Sequence, residues 1–307
     1  MSATGQDAAA GAPAMRVETP LARFWSEFAE SRLALLGLAL LTLVALIALL
    51  APLIAPQNPY DLNQLDIMDA RLAPGEVSGD GRITYWLGTD GQGRDMLSAM
   101  MYGLRISLSV GALSAIFAMA LGTIVGLVAA WLGGRWEAVI MRIVDIQLGF
   151  PAILVALILL SVLGQGVDKV LIALVIVQWA YFARTARGSA LVERRREYIE
   201  AASCLDLSGP RIVLRHLLPN CLPPLIVIAT IQVAEAIALE ATLSFLGLGV
   251  PVTEPSLGML IANGFNFLLS GYYWISVFPG LLLAVAIVAI NLVGDQLRDV
   301  LNPRLRK

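Results

Sequence analysis

Six stretches of this sequence, 33–53, 107–131, 140–163, 167–187, 222–248 and 274–295, are apolar for long enough to cross a lipid bilayer. No other feature constrains the fold as tightly. Backbone buried in hydrocarbon must satisfy its own hydrogen bonds, and segments of this length do so as helices packed into a bundle. The first run spans about 33 Å at ~1.5 Å per residue, which matches the hydrocarbon core. It reads as a retained span, because no compact apolar core with a cleavage site precedes it. With 58% hydrophobic and 14% charged residues and a mean hydropathy of +0.78, the chain is more apolar than a soluble domain tolerates. The sequence therefore predicts an all-α membrane protein of six transmembrane helices. The fourth segment has the shortest uncharged run, 170–183, a length also found in re-entrant or buried pieces. Asp168 and Lys169 close one end of it and Arg184 and Arg187 the other, where long side chains reach the interface.

Charge sets the orientation. Arg16, Arg23 and Arg32 precede the first span, and Arg135 lies between the second and third. Arg194, Arg195, Arg196, Arg211 and Arg215 fall between the fourth and fifth, and Arg298, Arg304, Arg306 and Lys307 end the chain. The loop 250–273 has no basic residue, and in 57–104 Arg71, Arg82 and Arg94 are offset by seven acids. Positive charge stays inside, so both termini are expected in the cytoplasm. Tyr272, Tyr273 and Trp274 fit an outer aromatic belt, and 257–269 reads as a short outer-face helix. Residues 1–20, rich in Ala and Gly, are expected to be a disordered tail. After it come the N-terminal segment with the first helix (21–56), the outer loop (57–104), the core (105–297) and a C-terminal piece (298–307).

A net charge of −2 excludes a nucleic-acid-binding surface, which needs a basic excess. Cys204 and Cys221 both fall on the predicted cytoplasmic side, where thiols stay reduced. His216 is the single histidine and has no partners for a metal site or a triad. Asp90 and Asp95 are too few carboxylates for a usual calcium loop. No G-x-x-x-x-G-K-[ST] occurs, so the chain has no phosphate-cradling loop for ATP.

The polar interruption 188–220 is the main candidate site. Leu191, Val192, Tyr198, Ile199, Ala202 and Leu205 recur at helical spacing, which predicts an amphipathic helix over 190–205. Ser208, Gly209 and Pro210 break it and start a second helix ending near Pro219, with Ser208 or Gly209 as cap. Two short helices at an angle would project rigidly and pass a displacement to the fifth span.

The order Tyr198-Ile199-Glu200-Ala201-Ala202, then Asp206, then Arg211-Ile212-Val213-Leu214-Arg215-His216-Leu217-Leu218-Pro219-Asn220 resembles the EAA loop of binding-protein-dependent ABC importer permeases. In that family the loop is the coupling helix, seated in a groove of the ATP-binding subunit. The resemblance implies this role for Glu200, Ala201 and Ala202, with Leu205, Asp206, Ser208 and Arg211 around them. The family usually has glycine where this chain has Asp206. Glycine adopts the left-handed conformation freely, whereas Asp pays about 1 kcal/mol. Trp86-Leu87-Gly88-Thr89-Asp90 through Gly93-Arg94-Asp95 to Ser107 resembles the dipeptide, oligopeptide and nickel group. So do Met141 to Asp145 with Phe150 and Pro151, Ser244 to Gly249, and Asn291 to Asp295 with Leu297, Arg298 and Asp299. The likeness runs from Phe24 onward and is greatest to the C-type subunit.

It implies the fold of a type I ABC importer transmembrane domain, a second, B-type permease, two cytoplasmic ABC ATPases that hold the ATP and Mg, and an extracytoplasmic binding protein. It also implies a place in the bacterial inner membrane and inward transport of short peptides, with no cofactor in this chain. Nickel systems share the loop motifs. An ion-coupled transporter using Glu235 or Glu240, and a scaffold without transport, are the rivals from other classes.

In the fifth span Gln232, Glu235 and Glu240 spread over roughly 140° of the helix. A charge at mid-bilayer costs ~2.5–3.5 kcal/mol on insertion scales, so these groups should face protein or water. They are candidates for the pathway lining, with packing between spans as the equal alternative. Arg142 and Asp145 are expected to pair along the third span, and Pro151 and Pro279 are hinge candidates.

Overall fold

The computed structural model describes residues 19–251 and 253–301. The expected disorder of 1–18, and the basic residues Arg16, Arg304, Arg306 and Lys307, lie outside the described residues. The chain begins with α1 (Pro20–Ala29), an amphipathic helix that the sequence reading did not anticipate. Gln296 holds it by donating Nε2 to the Glu27 carbonyl at 3.1 Å. Ser31 caps α2 (Arg32–Ile54), accepting the Ala34 amide at 3.2 Å. Asp95 caps α3 (Met96–Leu132) through Ser98, and this helix starts about three turns before its apolar segment.

Three further spans are each one continuous helix: α6 (Val167–Glu193), α9 (Leu218–Phe245), which includes Pro223 and Pro224, and α11 (Trp274–Leu301), which continues through Pro279. The third predicted span is not. It is two helices, α4 (Gly134–Gly149) and α5 (Ala152–Leu163), bent by 91° at Phe150 and Pro151. Pro151 caps the second leg, having no N–H to continue the first. The fourth segment, short by its uncharged run, is a full 27-residue helix. Its charged ends extend it because Arg184 and Arg187 pair with Asp145 at 2.6 Å and with Glu137 at 2.8 Å. Asp145 therefore does not pair with Arg142, which is exposed.

The core of the bundle is the contact of α3 with α6. A Cβ on Gly122 would stand 2.2 Å from the Trp179 carbonyl oxygen, and one on Gly126 2.4 Å from that of Ala183. Only glycine lets two backbones approach so closely, the usual device for joining helices in a membrane. Val110 packs in one cluster with Val170, and Ala130 in another with Ala190, so the two helices run parallel. The chain must then return the full thickness between them. Legs of about 24 Å and about 18 Å at a right angle close a gap of about 30 Å, which makes α4–α5 a broken span and not a same-side loop. The α5–α6 turn accordingly meets the turn that follows α9, with Gln165 Nε2 donating to the Gly247 carbonyl at 2.6 Å.

Here α10 (Leu257–Phe265) is the predicted short helix, but its Leu257, Gly258, Met259, Leu260 and Gly264 are buried among the spans. At the same end, residues 57–95 form a compact cap with a hairpin of β1 (Glu76–Val77) and β2 (Thr84–Tyr85). Thr89 bridges the Asp69 carbonyl and the Leu72 amide, and Tyr85 donates its hydroxyl to Asp69 at 2.9 Å. Asp90 and Arg94 pair at 2.6 Å, each 1% exposed. Asp90 also accepts the Gln92 and Arg94 amides, and Asp95 accepts from Ser98, so these carboxylates serve the fold. Trp274 is no belt residue: it is 6% exposed and donates Nε1 to the Thr89 carbonyl at 3.1 Å. The Arg71 guanidinium covers Phe267 and Tyr272, which leaves Tyr273 as the exposed ring of the three.

Gly122→Ala and Gly126→Ala should each destabilise the purified protein by about 1–3 kcal/mol, as overpacked cores do. Gly280→Ala, where an added Cβ meets nothing within 4 Å, should be neutral or stabilising. Thermal unfolding in detergent reads the difference.

Candidate functional site

Beyond the last buried turn of α6 the chain folds into an elbow. Residues 194–196 turn it, α7 (Glu197–Cys204) follows, and a second turn leads to α8 (Gly209–Ile212). The single amphipathic helix expected over 190–205 is thus divided between the end of α6 and α7. The second short helix does not end at Pro219 either. α8 passes through one widened π-turn, Val213–Leu217, directly into α9, giving a helix of 37 residues from Gly209 to Phe245. Pro219 explains the widening: its ring collides with the carbonyl four residues back in a regular turn, and the Leu218 amide instead reaches the Val213 carbonyl.

The turn after α7 is a Schellman motif. The Leu207 amide donates to the Ala202 carbonyl at 3.3 Å and the Asp206 amide to that of Ser203 at 3.1 Å. Asp206 therefore occupies the left-handed position usually held by glycine, with φ of 54°. Ser208 is the N-cap residue of α8, as the sequence reading has it, extended and without a side-chain capping bond.

Trp131, at the end of α3, seats the elbow. Ile199, Ala202 and Ile212 are buried together, with Trp131 and Leu207 packed against them. Gly209 lies so close that a Cβ would stand 2.9 Å from the indole. Arg194 covers the same ring at 5.4 Å and donates to the Ala130 and Trp131 carbonyls. The Tyr198 hydroxyl donates to Glu193 at 2.6 Å, and burial together with this carboxylate pushes its pKa up to about 12. The outward surface carries Glu200, Ala201, Leu205, Asp206, Ser208 and Arg211, all exposed. Leu205 is 75% exposed. Ala202 faces inward, so the predicted residues divide into one that anchors the elbow and six that it presents. Trp131 and Arg194 are the residues that sequence reasoning missed. His216 is half-buried in the widened turn, where Asn220 donates to its carbonyl. A cleft of about 610 Å³ opens beside the elbow, lined by Thr185, Glu193, Asn220, Val227 and Arg298 among others.

Deeper in the bundle, Glu240 is fully buried and accepts from the hydroxyls of Ser107 at 2.9 Å and Ser244 at 2.8 Å. That is packing between α3 and α9. Gln232 is also buried, and Gln178 of α6 donates to its carbonyl at 2.8 Å. Glu235 is exposed.

Broken third span, parallel glycine-packed helices and a rigid elbow joined to a span define a membrane permease of the importer type. Residues 122–307 match the binding-protein-dependent transport system inner membrane component family, and residues 19–74 match the N-terminal transmembrane domain of oligopeptide transport permease C. The chain belongs to the binding-protein-dependent transport system inner membrane component family and is a multi-pass inner-membrane protein. It is 36% identical over 98% of its length to the di/tripeptide transport system permease protein DppC of Pseudomonas aeruginosa, covering 97% of that protein. It is 36% identical over 94% of its length to the dipeptide transport system permease protein DppC of Haemophilus influenzae, covering 97% of it. Its fold is that of a type I ABC importer transmembrane domain, similar to the inward-facing MetNI methionine ABC transporter. That match has a TM-score of 0.56 at 21% identity and covers 67% of this chain and 98% of the other.

Asp206→Gly should stabilise the elbow by roughly 0.5–1 kcal/mol, whereas Asp206→Val, forced to the same positive φ, should loosen it. Hydrogen exchange over 199–212 checks both: protection rises in the first variant and falls in the second.

Proposed function

We propose that this chain forms half of the translocation pathway of an ATP-driven importer of short peptides, beside a second, B-type permease. Two cytoplasmic ABC ATPases dock on the elbow and hold the ATP and Mg, and an extracytoplasmic binding protein delivers the peptide. The chain itself is not catalytic. The names of its nearly full-length relatives support the peptide cargo. The observation that carries the mechanism is the elbow's continuity with α9 together with its seat on Trp131.

A docked subunit shifts a membrane protein between states only through contacts that differ between them. The exposed surface of α7 and its turn supplies such contacts through Glu200, Ala201, Leu205, Asp206, Ser208 and Arg211, while Ala202 keeps the surface in place from below. Arg194, Arg195, Arg196, Arg211 and Arg215 at this end favour the cytoplasmic side, with both termini there. The Asp90–Arg94 cap at the other end then faces the binding protein.

Glu200→Lys should lower peptide uptake by the reconstituted complex at least about tenfold and weaken co-purification of the ATPases, since a reversed charge at an interface is strongly unfavourable. Insertion and thermal stability of the permease should stay as they are. Unchanged uptake and association together would refute the docking surface.

A further inference from the structure

Resting on the peptide-import reading, we infer that Glu235, oriented by Gln232, is a binding point for the terminal ammonium of the substrate inside the pathway. Two carboxylates lie within α9, and the fold treats them differently. Glu240 is buried and satisfied by two hydroxyls. Glu235 is exposed near the middle of the helix and accepts one bond, from Gln232 Nε2 at 2.8 Å. Among the described residues no cation pairs with it within 4.0 Å. Tyr181 of α6 is within its electrostatic reach, and Arg184, one turn on, is engaged by Asp145 at 2.6 Å.

The amides behind Glu235 add to the imbalance. Gln178 and Gln232 are 2% and 3% exposed; each donates one amide hydrogen to a partner, and each has an Oε1 with no donor. Around Glu235, among the described residues, a carboxylate lacks a cation and two buried amide oxygens lack a donor, and buried polar groups ordinarily find partners. A ligand that completes this set carries positive charge and several N–H donors. A primary ammonium has this form. A carboxylate or a phosphate does not.

The surroundings suit a transporter of varied peptides. The exposed stripe of α9 continues with Ile231, Ala238, Thr242 and Phe245, which carry no charge. Such a stripe discriminates weakly among side chains, while the ammonium is the group that unmodified peptides share. An inorganic monovalent cation satisfies the same acceptors, and replacing sodium separates the two sources.

The test uses the whole complex, both permeases, the ATPases and the binding protein, in proteoliposomes with a radiolabelled dipeptide. Glu235→Gln should reduce uptake by about tenfold or more, the scale of a lost charged hydrogen bond, and leave assembly and binding-protein-stimulated ATP hydrolysis intact. Glu235→Asp should recover part of the uptake, and replacing sodium by choline should change nothing in the wild type. Wild-type uptake by the Glu235→Gln complex would overturn the inference, as would joint loss of assembly and ATP hydrolysis, which marks a structural role. A sodium requirement lost in Glu235→Gln would assign the site to the inorganic ion instead. If the wild-type complex imports no peptide, the import reading fails on its own. In that case Glu235→Cys, in a Cys204→Ser background, is challenged in membranes with a water-soluble cationic methanethiosulfonate. No labelling would refute an aqueous position for residue 235; labelling would keep the cation site and remove the peptide as its ligand.

Discussion

Everything in the bundle follows from two backbones touching. Gly122 and Gly126 bring α3 against the carbonyl ridge of α6 at a distance that no side chain permits. Lipid offers helices little hydrophobic reason to associate, so close packing and polar bonds must hold them. The contact fixes α3 and α6 as parallel neighbours, and parallel neighbours need a connection that crosses the membrane. The 91° break at Phe150 and Pro151 is how α4 and α5 make that crossing. Two cross-helix ion pairs, Arg184 with Asp145 and Arg187 with Glu137, then hold α4 to α6.

Polar chemistry is distributed by depth. At the hairpin end, the buried Asp90–Arg94 pair, Thr89 and Trp274 tie an irregular segment of backbone to the tops of α3 and α11. Nearer the hairpin end than the elbow, Glu240 and its two serines join α9 to α3. At the elbow end, Arg194 and Trp131 carry the load. Each buried charge or amide costs free energy unless it is paired, and these pairs lie where helices must meet.

Much of this was legible in the sequence, and the failures have physical causes. Apolar length located every span, because hydrocarbon thickness is a fixed ruler. Pro151, a hinge candidate by its missing N–H, marks where the third does bend, but apolar length underrated the fourth, since a hydropathy window senses only composition. The full length of α6 depends on Asp145 and Glu137, partners on another helix that no local spacing reveals. The expected Arg142–Asp145 pair failed for the same reason: a stronger partner arrived from outside the helix. Trp274 next to two tyrosines has the composition of an interfacial belt, and only the folded cap over it turns the indole inward. The left-handed turn at Asp206 was legible through the resemblance, whose family usually has glycine there, and φ of 54° is what the chain adopts.

The widened turn at Val213–Leu217 joins α8 to α9 without a swivel. α8 and α9 form one helix of about 55 Å, with Trp131 close to one extremity as its bearing. In such a lever the short arm lies outside the bilayer and the long arm inside, so a small thrust on the knuckle sweeps the remote tip through a larger arc.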